Sequence, residues 1–228
     1  MQQAGLTQLH AIGHVEPVAR RTLHDEVVGR VRDMIIEGTL APGSRVHEGQ
    51  LGEALGISRT PLREALKYLA SEGLLDLVAG RGAVVRRLSP KDVQDMLVVL
   101  STLEALAGQL VCAHATDADI AEIAALHRQM MQFYAKRQRL DYYKYNQLIH
   151  TAIAEKSGNA FLAATHSTAQ SRLKRIRFLG NAGAEKWSGA VAEHEEMIAA
   201  LQRRDGQALA EVLQRHLDAT WTRVKDSL

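Results

Sequence analysis

From about residue 22 to 88 the apolar positions come in short bursts broken by Gly and Pro; from about 89 to 228 they recur at helical spacing with few breakers. Leu23, Val27, Val31, Met34 and Ile35 form one stripe of a first helix, which Thr22 can cap and which Gly38 and "LAPGS" terminate. A short helix fits "HEGQLGEALG", and Gly56 supplies a tight turn. The next helix starts at Ser58 as N-cap, with Pro61 in the first turn, where the missing N–H costs nothing. Leu62, Leu66 and Leu69 face its inner side while Arg59, Arg63 and Lys67 share the outer one. After Gly73, "LLDLVAGRGAVVRRL" reads as two β-runs around "AGRG".

The second half predicts helices over about 90–115, 117–139, 141–157, 160–180, 184–203 and 205–225. Gly158 and Asn159 stop one helix and cap the next; Asp205 opens the last. The expected fold class is mainly α, with a winged helix-turn-helix followed by an all-α six-helix bundle. The expected division is a flexible arm over 1–20, a first domain over 21–88 with the hairpin, and a second, all-helical domain over 89–228.

The order helix, short helix, turn, helix, hairpin is the grammar of a winged helix-turn-helix, whose second motif helix enters the major groove N-terminus first. Arg59 and Arg63 sit there one turn apart, able to read guanine or clamp phosphate. Ser58 and Thr60 add hydroxyl donors for phosphates. Gly80, Arg81 and Gly82 form a hairpin tip that can reach a minor groove or the backbone. A bare solvated helix face would explain the two arginines alone, but not the turn, cap and hairpin that accompany them.

Composition narrows the class. The chain has 228 residues, 46% hydrophobic and 24% charged, as expected of one or two globular domains. A net charge of +2 neither demands nor forbids a nucleic-acid partner. The single cysteine, Cys112, excludes an internal disulfide framework and suits a reducing cytoplasmic compartment. No uninterrupted apolar run approaches about 18 residues, so no membrane span is expected.

Of ten histidines, three lie within apolar-periodic helices, each on a different one: His150, His194 and His216. Neutral imidazoles are common ligands of divalent transition metals, and three plus an oxygen donor leave a position open. Asn146, one turn before His150, is the obvious oxygen donor. A lone buried histidine is otherwise a hydrogen-bonded structural residue, the reading given to His24, His47, His114, His127 and His166.

The stretch "GTLAPGSRVHEGQLGEALGISRTPLREALKYLASEGLLDLVAGRGAVV" resembles the GntR family of bacterial transcription regulators. Its Pro-Gly turn, Glu48, the run from Ser58 to Leu66, Glu72-Gly73 and the Gly-Arg-Gly wing all match. The second half is similar to the FCD ligand-binding domain of the FadR-like subgroup. The resemblance implies a homodimer on a palindromic double-stranded operator, repression of a metabolic operon, and no membrane. It also implies that Asn146, His150, His194 and His216 hold a divalent metal, whose coordination a small carboxylate effector often completes.

Three departures stand out. Gly49 stands where some members place a DNA-contacting Arg. Asn146 replaces the usual Asp, removing one charge and favouring zinc, nickel or cobalt over harder cations. Leu100 stands one turn before Glu104, where members often carry an Arg for an acidic ligand, which shifts that work to Arg172, Arg175 or the metal. Two alternatives stay open: a His-based metalloenzyme, and a regulator whose metal-free pocket takes a neutral effector.

Overall fold

The computed structural model describes residues 23–180 and 184–228, without the side chains of 184–186. The predicted arm over 1–20 and the Thr22 cap lie outside the described residues. The head comprises α1 (Leu23–Glu37), α2 (Glu48–Leu55), α3 (Arg59–Ser71), β1 (Leu75–Val78) and β2 (Gly82–Val85). The strands pair antiparallel, with Leu75 opposite Val85 and Val78 opposite Gly82. Val27, Val31 and Ile35 of α1 meet Leu62, Leu66 and Leu69 of α3 and Leu75 and Val85 of the hairpin in one core. That core fixes α3 by its apolar side and turns its polar side outward.

The body comprises α4 (Pro90–His114), α5 (Asp117–Ala135), α6 (Arg139–Glu155), α7 (Ala160–Arg172), α8 (Lys174–Leu179), α9 (Ala184–Gln202) and α10 (Gly206–Val224). Capping signals set most of the starts. Ser89 and Asp92 form a reciprocal capping box with Pro90 in the first turn, and Thr116 with Asp119 repeats it on α5. Asn159 and Asp205 accept from Leu162 N and Ala208 N at 3.0 Å each. The long α4 runs along α10 and also touches α6, α7 and α9. By length and composition α4 could cross a bilayer, contrary to what run length implied. Its Glu104, however, is buried among charged and polar partners inside the bundle.

One predicted helix, 160–180, is two. The chain breaks at Leu173, whose N–H bonds Gln170 O at 3.1 Å. Thr165, Thr168 and Ser171 each return a hydroxyl to a backbone carbonyl of α7, a pattern that bends helices. The break sends the six residues of α8 back between body and head.

Candidate metal centre and nucleic-acid interface

At the head, Gly56 adopts φ 67°, the left-handed conformation that ends α2 and starts the turn. Ser58 stands at the N-cap of α3 as expected, but its hydroxyl makes no capping bond. Arg59 and Thr60 are exposed beside it. Arg63 is also exposed, yet its Nε donates to Glu48 Oε2 at 2.7 Å, so the solvated arginine of the sequence reading is tethered to α2. Arg81 is exposed at the hairpin tip, with φ of 73° at Gly80 and 76° at Gly82. At Gly49 nothing lies within 4 Å of where a Cβ would stand, so the absent arginine has open space.

In the body, helix packing brings the three sequence-distant histidines together. His150 of α6, His194 of α9 and His216 of α10 are buried, with ring centroids 5.3, 5.2 and 4.9 Å apart. One ring nitrogen from each lies within 4.8 Å of the others. Each ring has an acceptor behind it at Nδ1, hydrogen-bonded for His194 and His216 and at ion-pair distance only for His150. That atom of His150 lies 2.8 Å from Glu104 Oε2, that of His194 is 2.8 Å from Ala190 O, and that of His216 is 2.6 Å from Glu193 Oε2. Outer acceptors of this kind fix a tautomer in which Nε2 keeps a lone pair for a metal. His150 Nε2 is buried and has no hydrogen-bond partner, so the donor set fits a divalent transition metal.

Burial pushes the His150 imidazole down to about 3, with Arg177 adding to the effect. Burial also lowers His194 well below its ordinary range and lowers His216. The rings are therefore neutral, the form that ligates. Burial alone would raise the Glu104 carboxyl, but His150 and Arg177 outweigh it and hold the group well below the carboxylate range. Glu193 is ion-paired to Arg223 and accepts a hydrogen bond from His216 Nδ1.

Asn146 reaches the centre, but not as an oxygen donor: its Nδ2 lies 2.8 Å from His194 Nε2. Because His194 Nδ1 faces a carbonyl that can only accept, Nε2 must be the acceptor, and only the NH2 end of the amide can answer it. Asn146 Oδ1 accepts from Gln147 Nε2 at 3.1 Å.

The two arginines expected at the effector do not reach the centre. Arg172 is exposed and packs over Gly73, while Arg175 Nη1 donates to Ile35 O and Ile36 O at 3.2 and 3.0 Å. Residues two apart on a helix point to nearly opposite sides, so Arg177 is the one that turns inward. Its Nη1 donates to Glu104 Oε1 at 2.9 Å, and its buried Nη2 has no partner. Leu100 sits in the apolar cluster with Ile176 and Leu217, so the guanidinium arrives from α8 instead of α4. His166 fits its structural reading: it is buried, with Nε2 3.3 Å from Glu104 Oε1. Arg177 belongs to a visible basic cluster, but only the break at Leu173 tells which of its members faces inward.

Residues 95–219 match the FCD domain, and residues 23–85 match the description "Bacterial regulatory proteins, gntR family". This chain belongs to the GntR family. It is a transcriptional regulator with an FCD effector-binding domain. It is 26% identical over 193 residues to the HTH-type transcriptional regulator YdhC of Bacillus subtilis (strain 168), covering 83% of this chain and 85% of that one. It is 25% identical over 209 residues to the probable D-xylose utilization operon transcriptional repressor of Paenarthrobacter nicotinovorans, covering 90% and 92%. The solved structure of E. coli McbR/YncC shares the fold with a TM-score of 0.73 at 23% identity, over 87% of this chain and 95% of that one. These relatives are regulators of transcription, which leaves the metalloenzyme alternative without support.

Two body helices touch both the centre and the head. On α6, Lys144 pairs with Asp33 of α1, while Asn146 and His150 face the centre. On α8, Lys174 pairs with Glu72 at the end of α3 and Arg175 holds the end of α1, while Arg177 enters the buried network. Ile36 of α1, Tyr143 of α6 and Phe178 of α8 make one apolar cluster across the junction.

Proposed function

We propose that this regulator is a cytoplasmic, homodimeric repressor of a metabolic operon, released from a palindromic operator by a small effector that binds beside a metal held by His150, His194 and His216. The name of the xylose-operon relative lends the repressor sign. Ser58, Arg59, Thr60, Arg63 and the wing residues Gly80, Arg81 and Gly82 contact DNA in this reading. The working division is a head over residues 21–88 and a body over 89–228.

The observation that carries the proposal is that α6 and α8 each hold the centre at one point and the head at another. An effector can shift operator affinity only through unequal affinity for two arrangements of the protein. Those two helices are where its contacts would differ. Zinc suits the centre best, ahead of nickel or cobalt, because the ligands are neutral imidazoles with an amide beside them. When bound it would supply a positive charge, and Arg177, with its unpartnered Nη2, would supply a second for a small carboxylate.

Two recognition helices must reach half-sites about 34 Å apart, which requires a second copy. An exposed apolar face on α4 and α7, carrying Val98, Val99, Leu106 and Phe161, suits that copy. The test is fluorescence polarisation on a palindrome from the upstream region, with and without Zn2+ and a panel of small carboxylates. Loss of binding on addition of one carboxylate is expected. Binding unchanged by every metal and carboxylate would overturn the effector reading. A second reading keeps the pocket metal-free with a neutral effector, since Asn146 already satisfies His194 without any ion.

A further inference from the structure

The bond between Asn146 Nδ2 and His194 Nε2 suits an empty centre and opposes a loaded one. A cation on His194 takes the lone pair that the amide now occupies, and the N–H of Asn146 that meets that lone pair would then point at positive charge. Turning the Asn146 amide by half a rotation presents Oδ1 to the centre, but it also points Nδ2 at Gln147 Nε2, donor against donor. Gln147 is buried on α6, and its Oε1 has no partner. If Gln147 turns as well, that oxygen accepts from Asn146 Nδ2, and the conflict disappears.

We propose that Gln147 is a positioning residue that lets Asn146 serve the centre both empty and loaded, through concerted rotation of two adjacent side-chain amides. The proposal rests on the metal reading above. Its chemical basis is that a glutamine offers a donor at one end and an acceptor at the other, whereas a glutamate in the same volume only accepts. A carboxylate at 146 would need no such partner. One of its oxygens accepts from Gln147 as now, and the other faces the centre without rotating. The amide pair is thus what allows a neutral side chain at 146 to serve in both states.

The test uses four untagged full-length proteins: wild type, Q147E, N146D and the double variant. Each is stripped with chelator and titrated with Zn2+ against a chromophoric chelator. Q147E is expected to tighten zinc binding about tenfold beside Asn146, the size of an outer-shell effect, and to give no gain in the N146D background. An equal gain in both backgrounds is a plain charge effect and overturns the amide pair while leaving the metal reading standing. No gain beside Asn146, with zinc still bound, does the same. Zinc uptake by none of the four overturns the metal reading and this proposal with it. Should Q147E fail to fold, side-chain 15N resonances of the wild type decide: Zn2+ is expected to move the NH2 signals of both Asn146 and Gln147. Movement of Asn146 alone overturns the concerted rotation.

Discussion

The head and the body solve opposite problems with the same helix grammar. The head's candidate contacts fall in two short runs, Ser58 to Arg63 and Gly80 to Gly82, close in sequence and with their arginines exposed. The body's come from residues as distant as Glu104 and His216 and are buried. A partner as large as DNA needs side chains in water, where one ion pair such as Arg63–Glu48 is weak enough to exchange for a phosphate or base. A small ligand needs the reverse: dry, fixed groups whose fields are not screened. The lesson is that the same substitution, loss of an arginine, should act on binding in one half and on folding in the other.

The largest expected effect therefore lies in the body. Arg177→Met leaves Glu104 buried without its guanidinium and should cost about 3 to 5 kcal/mol of stability, read by urea unfolding. A stability like that of wild type would mean that His150 and His166 suffice to hold the carboxylate. Next come Arg59→Ala and Arg63→Ala, each expected to weaken operator binding by about 1 to 3 kcal/mol while leaving the unfolding midpoint in place. Equal loss of stability would erase the contrast between the halves.

A third, intermediate effect follows from pH. The buried imidazoles have folded pKa values below the unfolded 6.5, so the unfolded chain takes up protons first as pH falls. Their contribution is present above pH 6.5 and is lost progressively below it, down to about 3 for His150. Metal-free protein should lose up to about 1.4 kcal/mol per pH unit for each of His150 and His194 between pH 6 and 5, with His216 acting in the same direction, measured by thermal unfolding. Arg59→Ala should show the same slope, because Arg59 is exposed on the head and does not touch the buried rings. The smallest effect is a gain: Gly49→Arg should stabilise α2 by up to about 1 kcal/mol through helix propensity alone. The open space there also predicts tighter operator binding, and unchanged binding would remove α2 from the interface.

The contrast also governs what could be read from the chain. The elements of the head were legible almost throughout, because its turns and its apolar stripes are local signals. In the body the helices were legible from periodicity, and the three histidines were chosen correctly as a group that meets in space. What escaped was direction. Nothing local says that Arg177 turns inward while Arg175 holds α1, since that depends on the break at Leu173 and on packing across the junction. His166 was read as structural, but its partner, Glu104, 62 positions away, could not be read from the chain. The amide of Asn146 was expected oxygen-first, and the carbonyl behind His194 reverses it.

The brevity of α8 limits how such regulators can be recombined. A helix of six residues has no stability of its own in water and takes its shape from what flanks it. Its flanks here are Glu72 and the Ile35–Ile36 carbonyls on one side and Glu104 on the other. A chimera that joins this body to another family member's reading head would keep both halves folded yet leave them deaf to each other, unless the grafted head also brings an acidic residue at 72. Building sensors from these parts thus means transplanting the seam along with the modules.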